Sequence, residues 1–251
     1  MDFDSALIKE NETLDDLQRN GLRIIQRRDG FRFCTDSVLL ADFCMAKKSD
    51  RVVDMGTGSG VIPLLLAGRC DETQIDGVEL QPDIAEMARR SVRLNGLTDR
   101  IRIHTMDVRE AKRQLGAACA TLVVSNPPYT QKGNGLESPD ESRAIARSSA
   151  GGCPLEEWIA ACAALLQSGG RLCVVFPASG MLMLCDSMRS AGVEPKRLRF
   201  VCSRIEKPPK LLLLEGYRQG RPGLRILPPL VTHDKDGNFS QEMRRIYGEL
   251  V

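Results

Sequence analysis

The stretch Val52-Val53-Asp54-Met55-Gly56-Thr57-Gly58-Ser59-Gly60, continuing into Val61-Ile62-Pro63-Leu64-Leu65-Leu66, reads as strand, glycine turn, helix. Glycines at 56, 58 and 60 let the backbone reverse sharply and lie against a ligand with no side chain in the way. The start of the following helix then offers backbone N–H groups to a polar or negative group. Outward from this unit the chain keeps one rhythm. Apolar runs at 74–80, 101–106, 121–125, 171–176, 196–202 and 211–217 alternate with amphipathic stretches. That alternation predicts an α/β fold with a parallel sheet. The clearest helix begins at Pro82, a residue suited to a first helical turn, and Asn95-Gly96 ends it. Its spacing puts Ile84, Met87, Ala88, Ser91 and Leu94 on the core face and Glu86, Arg89, Arg90 and Arg93 elsewhere. Further helices are expected from Pro154 to about Leu166, stopping at Gly169-Gly170, and from about Gly180 to Ala191.

Composition narrows the chemistry. The chain has 251 residues, 42% of them hydrophobic, which rules against wholesale disorder. Two histidines, His104 and His233, are too few for a multi-histidine metal site, and no metal is expected. The nine cysteines form no CxxC pair, so zinc ribbons and thioredoxin-type pairs lack their spacing. They read as buried thiols of a reducing, cytoplasmic compartment. The N-terminus is acidic and polar, unlike a signal peptide, and no apolar run approaches the ~18 residues of a membrane span. Net charge is only +2. Between Arg189 and Arg225, however, ten basic residues face three acids, which a polyanion partner would need or a solvated face would explain.

Three further positions carry chemistry. Glu79 closes the second strand of the rhythm, 19 residues beyond Gly60. An acid there can bond both hydroxyls of a ribose. With the glycine turn it indicates a nucleoside-bearing cofactor, either a nicotinamide dinucleotide or S-adenosylmethionine. The spacing G-x-G-x-G favours the second, because the dinucleotide fingerprint is G-x-G-x-x-G. Asp107 closes the third strand and either accepts a hydrogen bond from an adenine amino group or caps the helix that follows. Ser125-Asn126-Pro127-Pro128-Tyr129 follows the fourth strand. Two prolines rigidify that turn, fixing the Asn126 side chain and the Pro127 carbonyl as acceptors, and Tyr129 offers a flat face for stacking. Two fixed acceptors orient a weakly nucleophilic NH2 group towards a methyl donor without a strong base.

With these motifs the chain resembles the class I S-adenosylmethionine-dependent methyltransferases, in particular the amino-methylating group with N-P-P-Y. The resemblance implies an α/β fold doubly wound around a mostly parallel seven-stranded sheet, of order 3-2-1-4-5-7-6 with the last strand antiparallel. It implies S-adenosyl-L-methionine as cofactor, held by Asp54, Gly56, Thr57, Gly58, Ser59 and Gly60. Glu79 with Leu80 serves the ribose, Asp107 with Val108 serves the adenine, and Asn126 touches both donor and acceptor. The catalytic residues it implies are Asn126, Pro127, Pro128 and Tyr129. The family's aromatic-x-x-Thr-Asp segment matches 31–37, adding Thr35 and Asp36 to the cofactor site. Leu14-Asp15-Asp16-Leu17, residues 21–26 and the tail with Leu227-Pro228-Pro229-Leu230 are similar to the bacterial valine-tRNA (adenine-N6)-methyltransferases. The substrate implied is an adenine in the anticodon-loop region of tRNA. The same tetrad also serves glutamine-N5 methylation of proteins and guanine-N2 methylation of ribosomal RNA. Both usually carry an additional domain, and only about 30 residues precede Phe31.

The expected organisation is an N-terminal extension over 1–30, a methyltransferase domain over 31–219 and an irregular C-terminal extension over 220–251 packed on it. Phosphates would rest on the 189–225 region and on Arg23, Arg27, Arg28 and Arg32. The polar segment 130–153 reads as a binding loop, with a short helix at 139–150 and Lys132, Arg143 and Arg147 clamping the nucleotide.

Overall fold

The computed structural model of the protein describes residues 7–29, 34–128 and 152–249. β1 (Glu12–Asp16) and β2 (Arg23–Arg27) form an antiparallel hairpin. The chain continues through α1 (Thr35–Phe43), β3 (Arg51–Met55), α2 (Val61–Ala67), β4 (Gln74–Glu79), α3 (Pro82–Leu94) and β5 (Ile101–Thr105). Then come α4 (Ala111–Leu115), β6 (Ala120–Ser125), α5 (Leu155–Leu165), β7 (Leu166–Pro177), α6 (Met181–Ser190), β8 (Val193–Cys202) and β9 (Leu211–Arg218). The described chain closes with β10 (Arg225–Ile226), β11 (Leu230–Val231) and α7 (Gln241–Tyr247).

The main sheet runs β10-β8-β9-β7-β6-β3-β4-β5, with β11 also on β8. Its seven long strands follow the expected order, and β9 alone runs antiparallel to its neighbours β7 and β8. Val52, Val53 and Met55 of β3 are all buried, as a central parallel strand covered on both faces requires. α1, α2, α3, α7 and the β1–β2 hairpin cover one face, with Leu39, Leu64, Ala88 and Met243 in its core. α4, α5 and α6 cover the other around Met55, Ile159 and Leu184. Among the described residues no helix is long and apolar enough to cross a membrane.

Several expectations need correction. The buried face of α3 is Ala85, Met87, Ala88, Ser91 and Val92, because the hairpin packs along it and the Ile25 amide donates to the Ser91 hydroxyl. Arg90, expected to point away, is buried and pairs with Glu12. Gly169-Gly170 does not lie between a helix and a strand. α5 ends at Leu165, β7 begins at once, and its pairing with β6 shifts register over these glycines. The tail is not irregular. It adds β10 and β11 to the edge of β8, then α7, whose N-cap Ser240 accepts the Met243 amide. The expected helix at 139–150 and its cations, with Arg32, lie outside the described residues.

The two appendages meet on the same face of the sheet. Arg19, from the β1–β2 turn, and Arg69, beyond α2, both donate to the Ile246 carbonyl at the end of α7, at 2.6 and 3.1 Å. Asp42 on α1 pairs with Arg69 and Arg245.

Candidate active site

The parallel strands bring the predicted site residues to one rim. Met55 is level with Val78 on one side and Ser125 on the other, and Glu79 with Thr105. The glycine loop, Glu79-Leu80, Asp107-Val108 and the Asn126-Pro127-Pro128 turn therefore all leave the sheet at its carboxyl end, where open α/β sheets bind ligands.

The loop is held from beneath. The Gly56 and Thr57 amides donate to the Val78 carbonyl at 3.0 and 2.9 Å. Gly56 has φ +80°, and a Cβ there would stand 3.0 Å from the Trp158 ring. Gly58, at φ +56°, has open space where a Cβ would be. Its amide donates to one oxygen of Glu79 at 3.0 Å, while the other takes the Gln81 amide at 2.9 Å. Burial pushes the Glu79 carboxyl up, and those two amides pull it back. Each oxygen keeps a lone pair for a further donor, such as a ribose hydroxyl.

Asp54 is fully buried, and among the described residues neither its carboxylate oxygens nor the nearby Thr57 hydroxyl has a partner at hydrogen-bond geometry. Burial pushes Asp54 up to about 7; Thr57 pulls the other way and the Glu79 charge adds to the rise. A buried carboxylate left unpaired is costly, which makes this group a candidate for pairing with a bound donor.

Asp107 caps the short turn that follows it, accepting the Arg109 amide at 2.9 Å, and pairs with the Arg109 guanidinium at 2.6 Å. That guanidinium holds the Asp107 carboxyl below its ordinary range. Asn126 and Pro128 are half-buried and Pro127 is buried; Tyr129, Phe31 and Phe33 lie outside the described residues. Thr35 and Asp36 open α1, and the Thr35 hydroxyl accepts from the Tyr247 hydroxyl at 3.5 Å. Ser59 completes the glycine loop.

Trp158, which sequence reasoning missed, braces this site. Its indole N–H donates to the Ser125 hydroxyl at 2.9 Å, and that hydroxyl donates to the Met55 carbonyl at 2.7 Å. It is the one tryptophan of the chain, a signal that was available, but helical periodicity does not reveal what a residue touches.

Much of the basic stretch is paired within the chain. Arg189, Arg197 and Arg199 pair with Glu194, Glu215 and Glu242. Lys196 donates to the Arg221 carbonyl and Arg218 to the Ala191 carbonyl. Arg27 pairs with Asp83 and Arg28 donates to the Glu12 carbonyl. Among the described residues no cluster of His, Cys, Asp and Glu is arranged to hold a metal.

Comparison with known proteins agrees with this geometry. Residues 33–182 match the model of the family described as methyltransferase small domain. The chain is 32% identical over 219 residues to the tRNA1(Val) (adenine(37)-N6)-methyltransferase of Erwinia tasmaniensis, covering 86% of each. It is 30% identical over 224 residues to that of Porphyromonas gingivalis, again covering 86% of each. Among solved structures, a predicted O-methyltransferase from Agrobacterium tumefaciens superposes with a TM-score of 0.69 at 22% identity, over 85% of this chain and 95% of that one.

Proposed function

Because the chain belongs to the methyltransferase small-domain family, we propose that it transfers a methyl group from S-adenosylmethionine to N6 of an adenine in tRNA. The observation that carries the reaction is the pairing of β3 with β6, which sets the glycine loop beside the Asn126-Pro127-Pro128 turn. The substrate rests on the relatives, which are tRNA1(Val) adenine-37 N6-methyltransferases matched over 86% of the chain.

The residues at the rim fit the donor. The unpartnered Asp54 carboxylate suits its ammonium group, Glu79 its ribose hydroxyls, and Asp107 its adenine amino group, with Gly58 leaving room for close approach. Thr35, Asp36, Thr57, Ser59, Gly60, Leu80 and Val108 complete that binding region. When bound, S-adenosylmethionine supplies an electrophilic methyl group on a sulfonium centre. The Asn126 side chain and the Pro127 carbonyl accept the two N–H bonds of the target amine. The nitrogen lone pair, otherwise delocalised into the ring, is thereby aimed at the methyl group. The prolines hold both acceptors in place, and water takes the proton released after transfer. Following the family motif, Tyr129 stacks on a target base splayed from its loop. On this reading the protein works in the cytoplasm with tRNA as partner and needs no metal.

The test is incubation with labelled donor and, in parallel, bulk tRNA, ribosomal RNA and cell protein, followed by mass spectrometry of the nucleosides and detection of label in protein. N6-methyladenosine is expected. Label confined to protein would replace the reading with glutamine-N5 methylation, and N2-methylguanosine in ribosomal RNA with the guanine-directed reaction.

A further inference from the structure

We propose that the loop 203–210 and the turn 233–239 form one surface that grips the single-stranded RNA flanking the target adenine; this rests on the reading above. β8 and β7 both pair antiparallel to β9, so the loop joining β8 to β9 leaves at the same rim as Asn126. The Ala178 amide donates to the Lys210 carbonyl and the Lys210 amide to the Val201 carbonyl, both at 3.0 Å. Lys210 thus stands just past the end of β7, two strand spacings, about 10 Å, to the side of β6. That offset suits a phosphate near the reacting base.

The loop carries Arg204, Lys207 and Lys210, all exposed. None has an ion-pair or hydrogen-bonding partner for its side chain among the described residues, unlike Arg189, Arg197 and Arg199 nearby in sequence. Pro208-Pro209 restricts the backbone between Lys207 and Lys210, which lowers the entropy lost when both are engaged. Beside them Ile205 is 65% exposed.

The C-terminal segment lies directly against this loop. The Thr232 amide donates to the Cys202 carbonyl and the His233 amide to the Ser203 carbonyl, at 2.9 and 3.0 Å. The His233 and Phe239 rings stand 5.5 Å apart, and Phe239 stacks on Tyr247 at 5.3 Å with the planes 10° apart. Tyr247 reaches Thr35 at the start of α1. A row of rings therefore leads from the basic loop to the expected donor site, and Phe239 is exposed on it. The acids here are Glu206, Asp234 and Asp236, and Asp234 is engaged by the Asp236 and Asn238 amides. Unpaired cations around the exposed Phe239 ring suit a strand with phosphates on the cations and a base on a ring. Arg221 lies beyond the far end of β9, and Arg225 on β10 is level with Arg197 midway along β8, so neither stands at this rim.

The experiment is fluorescence anisotropy of a labelled RNA stem-loop, with an adenine in its loop, against the full chain at several salt concentrations. Lys207→Ala with Lys210→Ala should weaken binding and reduce the slope of log affinity against log salt by about 1.4. Phe239→Ala should weaken binding about fivefold to a hundredfold. Arg221→Ala with Arg225→Ala should bind like the parent. Donor affinity by calorimetry should be unchanged in the lysine variant, which carries the test if Phe239→Ala unfolds. Parental affinity and slope in the lysine variant, or no binding by the parent, overturn the inference. Methyl transfer to tRNA by the parent is scored separately. Transfer with unaltered lysine-variant binding removes only this surface, and absence of transfer removes the methyltransferase reading itself.

Discussion

Trp158 donates its indole N–H to the Ser125 hydroxyl, which in turn donates to the Met55 carbonyl. Ser125 precedes Asn126 and Met55 precedes Gly56, so one side chain on α5 braces both arms of the site. The same ring packs where a Cβ at Gly56 would stand.

Trp158→Phe keeps most of the ring and removes the donor. It should cost about 1 kcal/mol of stability. Because the Asn126 turn is set by this contact, kcat should fall while donor affinity stays near the parent's. Trp158→Ala should cost about 3–5 kcal/mol in urea denaturation. An unchanged kcat in Trp158→Phe would show that the turn holds itself.

Asn126→Ala removes one of the two proposed acceptors for the amine. Methyl transfer should drop at least ~100-fold, with donor binding by calorimetry retained. Near-parental turnover would take the orienting role away from this residue.

Asp54 gives the protein a distinct pH response. Its carboxyl is at about 7 in the folded protein against an ordinary 3.8, with burial the largest cause. Between those values the folded state holds a proton that the unfolded chain releases. Its contribution to stability is therefore lost as pH rises from about 4 to about 7, and is level above. The ionised form is the one that pairs with an ammonium, so donor affinity should rise over the same interval. Asp54→Asn should flatten both trends, read as melting temperature and calorimetric affinity against pH.

Arg90 and Glu12 form a two-point ion pair at 2.6 and 2.7 Å, with each side chain 8% exposed. Glu86 bonds the remaining edge of the guanidinium. Glu12→Gln strands part of a buried charge and should cost about 3 kcal/mol. Arg90 holds the Glu12 carboxyl below its ordinary range. The parent therefore has this contribution at neutral pH and loses it as pH falls through the depressed value. Denaturation curves of parent and variant should differ at neutral pH and converge at acid pH.

The local features were legible and the long-range ones were not. Apolar runs mark the seven strands, and glycine and proline chemistry marks the loop at Gly56 and the turn at Pro127, because each is decided within a few residues. Arg90 reads as a surface residue until its partner, 78 positions away, is folded against it. The basic run from Arg189 to Arg225 reads as one face, yet β8 and β9 reverse direction within it and carry Lys207 and Arg221 to opposite ends of the sheet. β10 and β11 span two residues each, too few for any periodicity to register.

The shared Ile246 carbonyl, reached by Arg19 and Arg69, works as a latch between elements more than 200 positions apart. Neither the hairpin nor the tail can peel away without breaking the other's contact. Amide exchange in both should report one common opening event rather than independent fraying.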